Sequence, residues 1–218
     1  MTQTNQEKIL VLCAHNDDQI IGAGGTLVKY NKKGIPFKTV IFSFGEGSHP
    51  HIKQQLVVET RVREALKSDK ILGGNGIAFF GIKEGKFKEE FKAKKIKQRV
   101  EWTINQENPT RIFTHSDDDF HPDHKAVYYL VKELIDEKKI NCEVYSFDIW
   151  NVVKLKKRNY PRMVVDITNE FDTKMDSLLV HKSQKVAIFT LFANIYLKAV
   201  FNGWRNGFRF AEVFRKIN

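Results

Sequence analysis

Lys8-Ile9-Leu10-Val11-Leu12-Cys13-Ala14-His15-Asn16-Asp17-Asp18-Gln19 is a short apolar run that ends in a histidine and two aspartates. A continuous run of this length, followed by a turn and a helix, suits a strand buried on both faces of a parallel sheet. Gly22, Gly24 and Gly25 read as the turn and Thr26 to Tyr30 as the helix. In open sheets of this type ligands bind beyond the carboxyl ends of the strands, which is where His15, Asp17 and Asp18 fall. The glycines lack the dinucleotide-binding fingerprint, so neither a nicotinamide nor a flavin is expected.

The same arrangement returns far along the chain. Thr110 to Thr114 reads as a second short strand, His115 to Phe120 as an Asp-rich loop, and Pro122 as the first residue of a helix running through Val131. Proline is tolerated there because its missing N–H would be unpaired anyway, and Asp123 in the first turn complements the helix dipole. His121 and His124 lie three residues apart near that helix start, able to face one cavity.

Imidazole and carboxylate suit zinc, with other divalent metals as alternatives. Three protein ligands with a fourth position left to water is the pattern of a catalytic site. His15, Asp18 and His124 make such a triad. Asp17 is left to take a proton from water, and His121 to donate one to a leaving group or to steady developing charge.

The rest of the chain alternates strand and helix. Phe37 to Ser43, Gly76 to Phe80, Glu143 to Trp150 and Arg162 to Asp166 read as strands; Ile52 to Leu72 and Phe87 to Asn105 read as helices. Alternation of this kind predicts a Rossmann-like α/β fold, a mainly parallel sheet with helices on both faces. The last third turns helical, over Phe171 to Lys182 and Val186 to Phe201. At 218 residues, with 42% hydrophobic and 28% charged content, residues 1–218 are expected to form a single domain.

With the Gly22-Ala23-Gly24-Gly25-Thr26-Leu27 that follows, Ala14-His15-Asn16-Asp17-Asp18-Gln19 resembles the signature of the PIG-L/LmbE-like N-acetylglucosaminyl deacetylases, which usually reads A-H-P-D-D-E and then G-x-G-G. His121-Pro122-Asp123-His124 resembles the family's H-P-D-H, and Arg61-Val62-Arg63-Glu64 its R-x-x-E. Leu72-Gly73, Phe80-Gly81-Ile82, Asp166-Ile167, His181-Lys182-Ser183-Gln184 and Ala211-Glu212-Val213-Phe214 resemble further family elements in the same order. The resemblance implies a zinc-dependent hydrolase that removes an acyl group, usually acetyl, from the nitrogen of an amino sugar. By that analogy His15, Asp18 and His124 bind the metal, Asp17 is the general base, and His121 is an electrostatic stabiliser or acid. Asp123 would then hold His121, and Arg61 would contact substrate. Two departures lie in the first motif: Asn16 stands for proline and Gln19 for glutamate, and neither removes a ligand or the base. A related amidase acting on another acylated amine, or a non-catalytic metal-binding member of the family, would carry the same motifs.

The net charge of +10 favours acidic partners. A phosphate-bearing sugar or glycoconjugate suits it better than nucleic acid, for which no recognition motif is present. Lys83, Lys86, Lys88, Lys92, Lys94, Lys95 and Lys97 form one basic cluster and Lys154, Lys156, Lys157 and Arg158 another, each expected to be a solvated face. Near the end, Phe201, Trp204, Phe208 and Phe210 alternate with Arg205, Arg209 and Arg215. That mixture suits a membrane surface, although a helix packed on the domain or covering the site is the simpler expectation. Cys13 and Cys142 form no disulfide framework, and the polar amino terminus lacks a signal-peptide core, so a cytoplasmic location is expected. Self-association is left open.

Overall fold

Strand β1 (Ile9–Cys13) is buried along its whole length. Ile9, Val11 and Cys13 enter one apolar cluster, while Leu10, Leu12 and Ala14 enter another on the opposite side. A strand that is apolar at every position, with a two-residue period, must be covered on both faces. The computed structural model, which describes residues 6–48, 51–150 and 160–218, supplies both covers.

The elements follow in the order β1, α1 (Asp18–Lys32), β2 (Phe37–Ile41), α2 (Gln54–Leu72), β3 (Ile77–Phe79), α3 (Phe87–Ala93), α4 (Ile96–Glu107), β4 (Arg111–His115) and α5 (Pro122–Asp136). Then come β5 (Glu143–Phe147), β6 (Arg162–Asp166), α6 (Phe171–Leu179), α7 (Lys185–Arg205) and β7 (Ala211–Lys216). The sheet runs β3-β2-β1-β4-β5-β7-β6. The first five strands are parallel, and β7 runs antiparallel to both of its neighbours. Helices α1, α2, α6 and α7 contribute to the cluster behind Ile9, and α3, α4 and α5 to the cluster behind Leu10. This is the expected mainly parallel sheet with helices on both faces. Chain order reverses direction between β1 and β4, which opens a crevice beyond their carboxyl ends.

Four local readings need correction. Helix α1 begins at Asp18, not at Thr26, so the glycines lie inside it. They are there for close packing: a Cβ on Gly22 would fall 2.3 Å from the Phe147 ring, and one on Gly25 2.8 Å from Ile167. The stretch expected as a single helix from Phe87 to Asn105 breaks in two at Lys95, which takes a left-handed φ of 49°. His115 is the last residue of β4 rather than the first of a loop. The last third is not purely helical, because Ala211–Lys216 returns as β7 and slots between β5 and β6.

The position of β7 gives Glu212 a structural task. Its carboxylate accepts from the N–H groups of Gly25 and Thr26 at 3.1 and 2.8 Å and from Lys174 Nζ at 2.7 Å, while the same ammonium donates to the Ile21 carbonyl at 2.9 Å. The buried pair thus sits across the Ile21 to Gly25 step of α1, and each charge is matched by backbone dipoles as well as by its partner. Of the basic clusters, Lys94 pairs with Glu90 at 2.6 Å, and Lys97 with Glu133 and Glu137 at 2.6 and 2.5 Å. Lys154 to Arg158 lie outside the described residues. Cys13 and Cys142 are both free thiols, the first buried.

Candidate metal centre

Three connections meet at the carboxyl edge of the parallel strands. The loop after β1 carries His15 and Asp17, and α1 opens with Asp18. The turn after β3 carries Glu84, and the segment from the end of β4 to the start of α5 carries His115, Asp119, His121, Asp123 and His124. Pro122 occupies the first turn of α5 as expected, and His121 is the residue that caps it.

The structure brings His15, Asp18 and His124 together. His15 Nδ1 lies 3.3 Å from His124 Nε2 and 3.5 Å from Asp18 Oδ2, and His124 Nε2 lies 3.3 Å from Asp18 Oδ1. Ligand atoms around a tetrahedral zinc, at about 2.0–2.1 Å from the metal, are about 3.3–3.4 Å apart. The outer nitrogens face carboxylates: His15 Nε2 is 3.4 Å from Asp123 Oδ2 and His124 Nδ1 is 3.1 Å from Asp119 Oδ1. An imidazole that turns its outer N–H toward a carboxylate presents its inner lone pair to a metal.

His115, which the sequence reading passed over, is buried against the same cluster. Its ring stacks on that of His124 at 4.0 Å, and its Nε2 is 3.2 Å from Asp18 Oδ2. Among the described residues, two overlapping triples, His15 with His121 and His124, and Asp18 with His115 and His124, have ligand-type atoms close enough to hold a metal. His115 Nε2 also accepts the Ala14 N–H at 2.9 Å, so its lone pair is already engaged. That leaves the inner nitrogens of His15 and His124, with Asp18, as the better donor set.

Charge points the same way. Burial by itself would push the His15 imidazole down, but hydrogen bonds and charge from Asp123 and Asp18 overcome it and raise the pKa to about 10. His124 is likewise opposed by burial yet raised to about 9 by Asp18 and Asp119. Burial also opposes the Asp18 carboxylate, which the charge of His124 nevertheless holds well below its ordinary range. A pocket that protonates two buried histidines is one whose carboxylates demand positive charge, and a divalent cation can replace those protons.

His121 differs. Burial, and then the charges of His15 and His124, lower its pKa to about 4. Its Nδ1 accepts the Asp123 N–H at 3.2 Å, so the neutral ring carries its proton on Nε2. The expectation that Asp123 holds His121 thus needs correction in its chemistry. The backbone of Asp123 holds His121, while its carboxylate accepts from Gly85 N–H at 2.9 Å and faces His15.

Asp17 is half-buried at the N-cap position of α1, and its carboxylate makes no capping hydrogen bond. Arg61 is buried, and its Nη1 donates to the Gly45 carbonyl at 3.1 Å, bracing the loop after β2. Asn16 Nδ2 donates to the Arg61 carbonyl at 3.0 Å, and Gln19 Nε2 to the Asn16 carbonyl at 3.1 Å. Glutamate at position 19 could not donate the bond to the residue 16 carbonyl, and proline at position 16 could not donate the bond to Arg61.

The four histidines give the metal-free protein an expected pH dependence. His15 and His124, raised from 6.5 to about 10 and about 9, stabilise the fold fully below pH 6.5 and lose that contribution as pH climbs through those values. His115 and His121, lowered from 6.5 to about 4, contribute above pH 6.5 and lose it as pH falls toward 4. Asp69, which burial raises from 3.8 to about 6, opposes part of the acidic loss. Calorimetry of metal-stripped protein should show Tm highest near pH 6.5 and falling on both sides, with the alkaline fall flattened by zinc. An alkaline limb that zinc leaves unchanged would contradict a metal at His15 and His124.

Fold and site together define an α/β protein with a histidine–aspartate cluster at the switch point of its sheet. Residues 10–135 match the PIG-L family, described as GlcNAc-PI de-N-acetylase, and the chain belongs to that family. It is similar to the "Probable N-acetyl-alpha-D-glucosaminyl L-malate deacetylase 2" of Bacillus cereus, 23% identical over 84% of this chain and 86% of that one. Among solved structures, the N,N'-diacetylchitobiose deacetylase of Pyrococcus horikoshii superposes with a TM-score of 0.81 at 20% identity, covering 98% of this chain and 84% of that one. The 4-carboxy-2-hydroxymuconate hydratase of Pseudomonas putida superposes with a TM-score of 0.80 at 21% identity, covering 97% and 96%. One fold thus accompanies both a deacetylase and a hydratase, and the reaction has to be argued from the site.

Proposed function

We propose that this protein is a metal-dependent hydrolase, with zinc as the metal its donors suit, that removes an N-acetyl group from an amino sugar or glycoconjugate. The observation that carries the proposal is the convergence of His15 Nδ1, His124 Nε2 and Asp18 at 3.3 to 3.5 Å. Membership of the PIG-L family supports it, as does similarity to relatives whose names describe deacetylases.

An amide resists water because resonance stabilises its carbonyl and its amine is a poor leaving group. A bound zinc ion supplies a lowered water pKa, about 7 in favourable sites, and polarises the carbonyl. Asp18, His15 and His124 would hold it, with the carboxylates of Asp119 and Asp123 facing the outer nitrogens of the two rings. Asp17 takes the proton from the attacking water, a task its lack of a capping bond leaves it free to perform. His121, neutral with its proton on Nε2, donates a hydrogen bond to the developing oxyanion. Arg61 acts on substrate through the loop it braces. Beside that loop an open groove of about 490 Å³, lined by residues including Phe44, Glu46, Gln54 and Lys83, gives the sugar a place to lie.

The test is acetate release from a panel of N-acetylated amino sugars, with the protein loaded with zinc and again after chelation. Release from at least one sugar that stops on chelation and returns with metal is expected. Release from N-acylated amines that are not sugars, with none from the panel, would redirect the reading to a related amidase. No release from any acylated amine, with hydration of an unsaturated acid, would overturn it.

A further inference from the structure

Helix α7 is apolar on its outer face from end to end. Ile188, Leu191, Ile195 and Ala199 form a buried stripe at helical spacing and join the cluster that covers β1. Opposite them Val186 is 82% exposed, Phe189 83%, Leu197 61%, Phe201 53% and Trp204 75%. At about 100° per residue, Val186, Ala193, Leu197 and Trp204 fall in one narrow sector, with Phe189 and Phe201 on its flanks. A surface helix normally turns charge outward on this side; here the polar member of the sector is Thr190.

The segment Lys182–Arg205 is long and apolar enough to cross a membrane. The buried stripe argues against that use, because spanning would pull four residues out of the core cluster. The surrounding charge indicates what covers the outer face. No acidic residue occurs between His181 and Ala211, while exposed Lys182 and Lys185 stand at the amino end of α7 and exposed Arg205 and Arg209 at its carboxyl end. A second copy laid along the face would set cation against cation in either direction. Antiparallel packing opposes the lysine end to the arginine end, and parallel packing opposes each end to itself. A layer of anionic headgroups meets all four cations, and its interface accepts the aromatic row.

We propose that α7 docks this protein on an anionic membrane surface. The helix lies in the plane of the headgroups, with Val186, Phe189, Leu197, Phe201 and Trp204 inserted and Lys182, Lys185, Arg205 and Arg209 against the lipid phosphates. His181 and Ser183, just before α7, are bonded to Ser68 and Glu64 of α2, two turns and one turn from Arg61. Docking therefore holds that edge of the metal centre beside the membrane. The inference does not depend on the reaction the centre performs.

The experiment is co-sedimentation of the full-length protein with phosphatidylcholine vesicles that contain phosphatidylserine, and with phosphatidylcholine alone. The wild type should sediment with the anionic vesicles at low salt, be released at high salt, and bind the neutral vesicles weakly. F189S combined with W204S should lower the partition coefficient about tenfold or more, and R205E combined with R209E should abolish the preference for anionic lipid. All four positions are exposed, so the variants should melt with the wild type; should the first melt early, the wild-type comparison of vesicle compositions decides. Absence of wild-type binding to anionic vesicles at low salt would overturn the proposal. So would a stable dimer that F189S with W204S converts to monomer, which would assign the face to a second copy.

Discussion

His124→Ala should purify without a bound divalent metal and release no acetate. His124 belongs to both triples of ligand-type atoms, so its loss is decisive whichever of them holds the ion. Its Nε2 is 3.3 Å from both His15 Nδ1 and Asp18 Oδ1, and its Nδ1 is steadied by Asp119 at 3.1 Å. Loss of an outer partner such as Asp119 costs metal affinity roughly 10–100-fold, so loss of the ligand itself should cost more. Metal content by elemental analysis and affinity by calorimetric titration read this directly. His15→Ala should behave like His124→Ala. His115→Phe should keep the metal, because the Nε2 lone pair of His115 is already taken by the Ala14 N–H. Full occupancy in His124→Ala would exclude both triples, and loss of metal in His115→Phe with retention in His15→Ala would shift the site to Asp18, His115 and His124.

What the sequence revealed of this centre depended on how local each signal was. His15, Asp17 and Asp18 were legible because an unbroken apolar run must be a covered strand, and ligands gather where such strands end. His121 and His124 were legible from Pro122, which fixes the start of α5. His115 gave no local sign. Its place follows from the register that pairs Leu12 with Thr114 and so sets the end of β4 beside Ala14. The run Asp117-Asp118-Asp119 likewise reads as three equivalent acids. In the fold Asp118 pairs with Arg215 at 2.7 Å, while Asp119 holds His124 and accepts from Ile149 N–H at 3.1 Å. The family resemblance sets Asp123 against His121, whereas the helix start turns its carboxylate to His15.

The fold was legible for the same reason and failed at tertiary contacts. Glycines after a strand read as a turn, but those of α1 are required by the Phe147 and Ile167 side chains that press on it. β7 was missed because a strand added antiparallel at the far side of a parallel sheet breaks the alternation on which the reading relied. The role of Glu212 depends on that same strand, since its partners Gly25, Thr26 and Lys174 come from α1 and α6.

Asp17→Asn should keep its metal and its stability while losing turnover by about 10²–10⁴-fold, the range for a general acid–base group. That loss corresponds to about 3–5 kcal/mol of transition-state stabilisation. Stability should hold because asparagine serves as well as aspartate at an N-cap, and Asp17 makes no capping bond that the change could remove. Metal should hold because the close contacts of the cluster are among His15, Asp18, His115, His121 and His124. The loss should fall on kcat with KM little altered, since proton transfer matters in the transition state and not in the bound ground state. Normal turnover in Asp17→Asn would move the base to another carboxylate at the cleft. Glu84, with Oε1 3.9 Å from His15 Nε2, is then the next to replace, and a comparable loss in Glu84→Gln would reassign the proton transfer to the loop after β3.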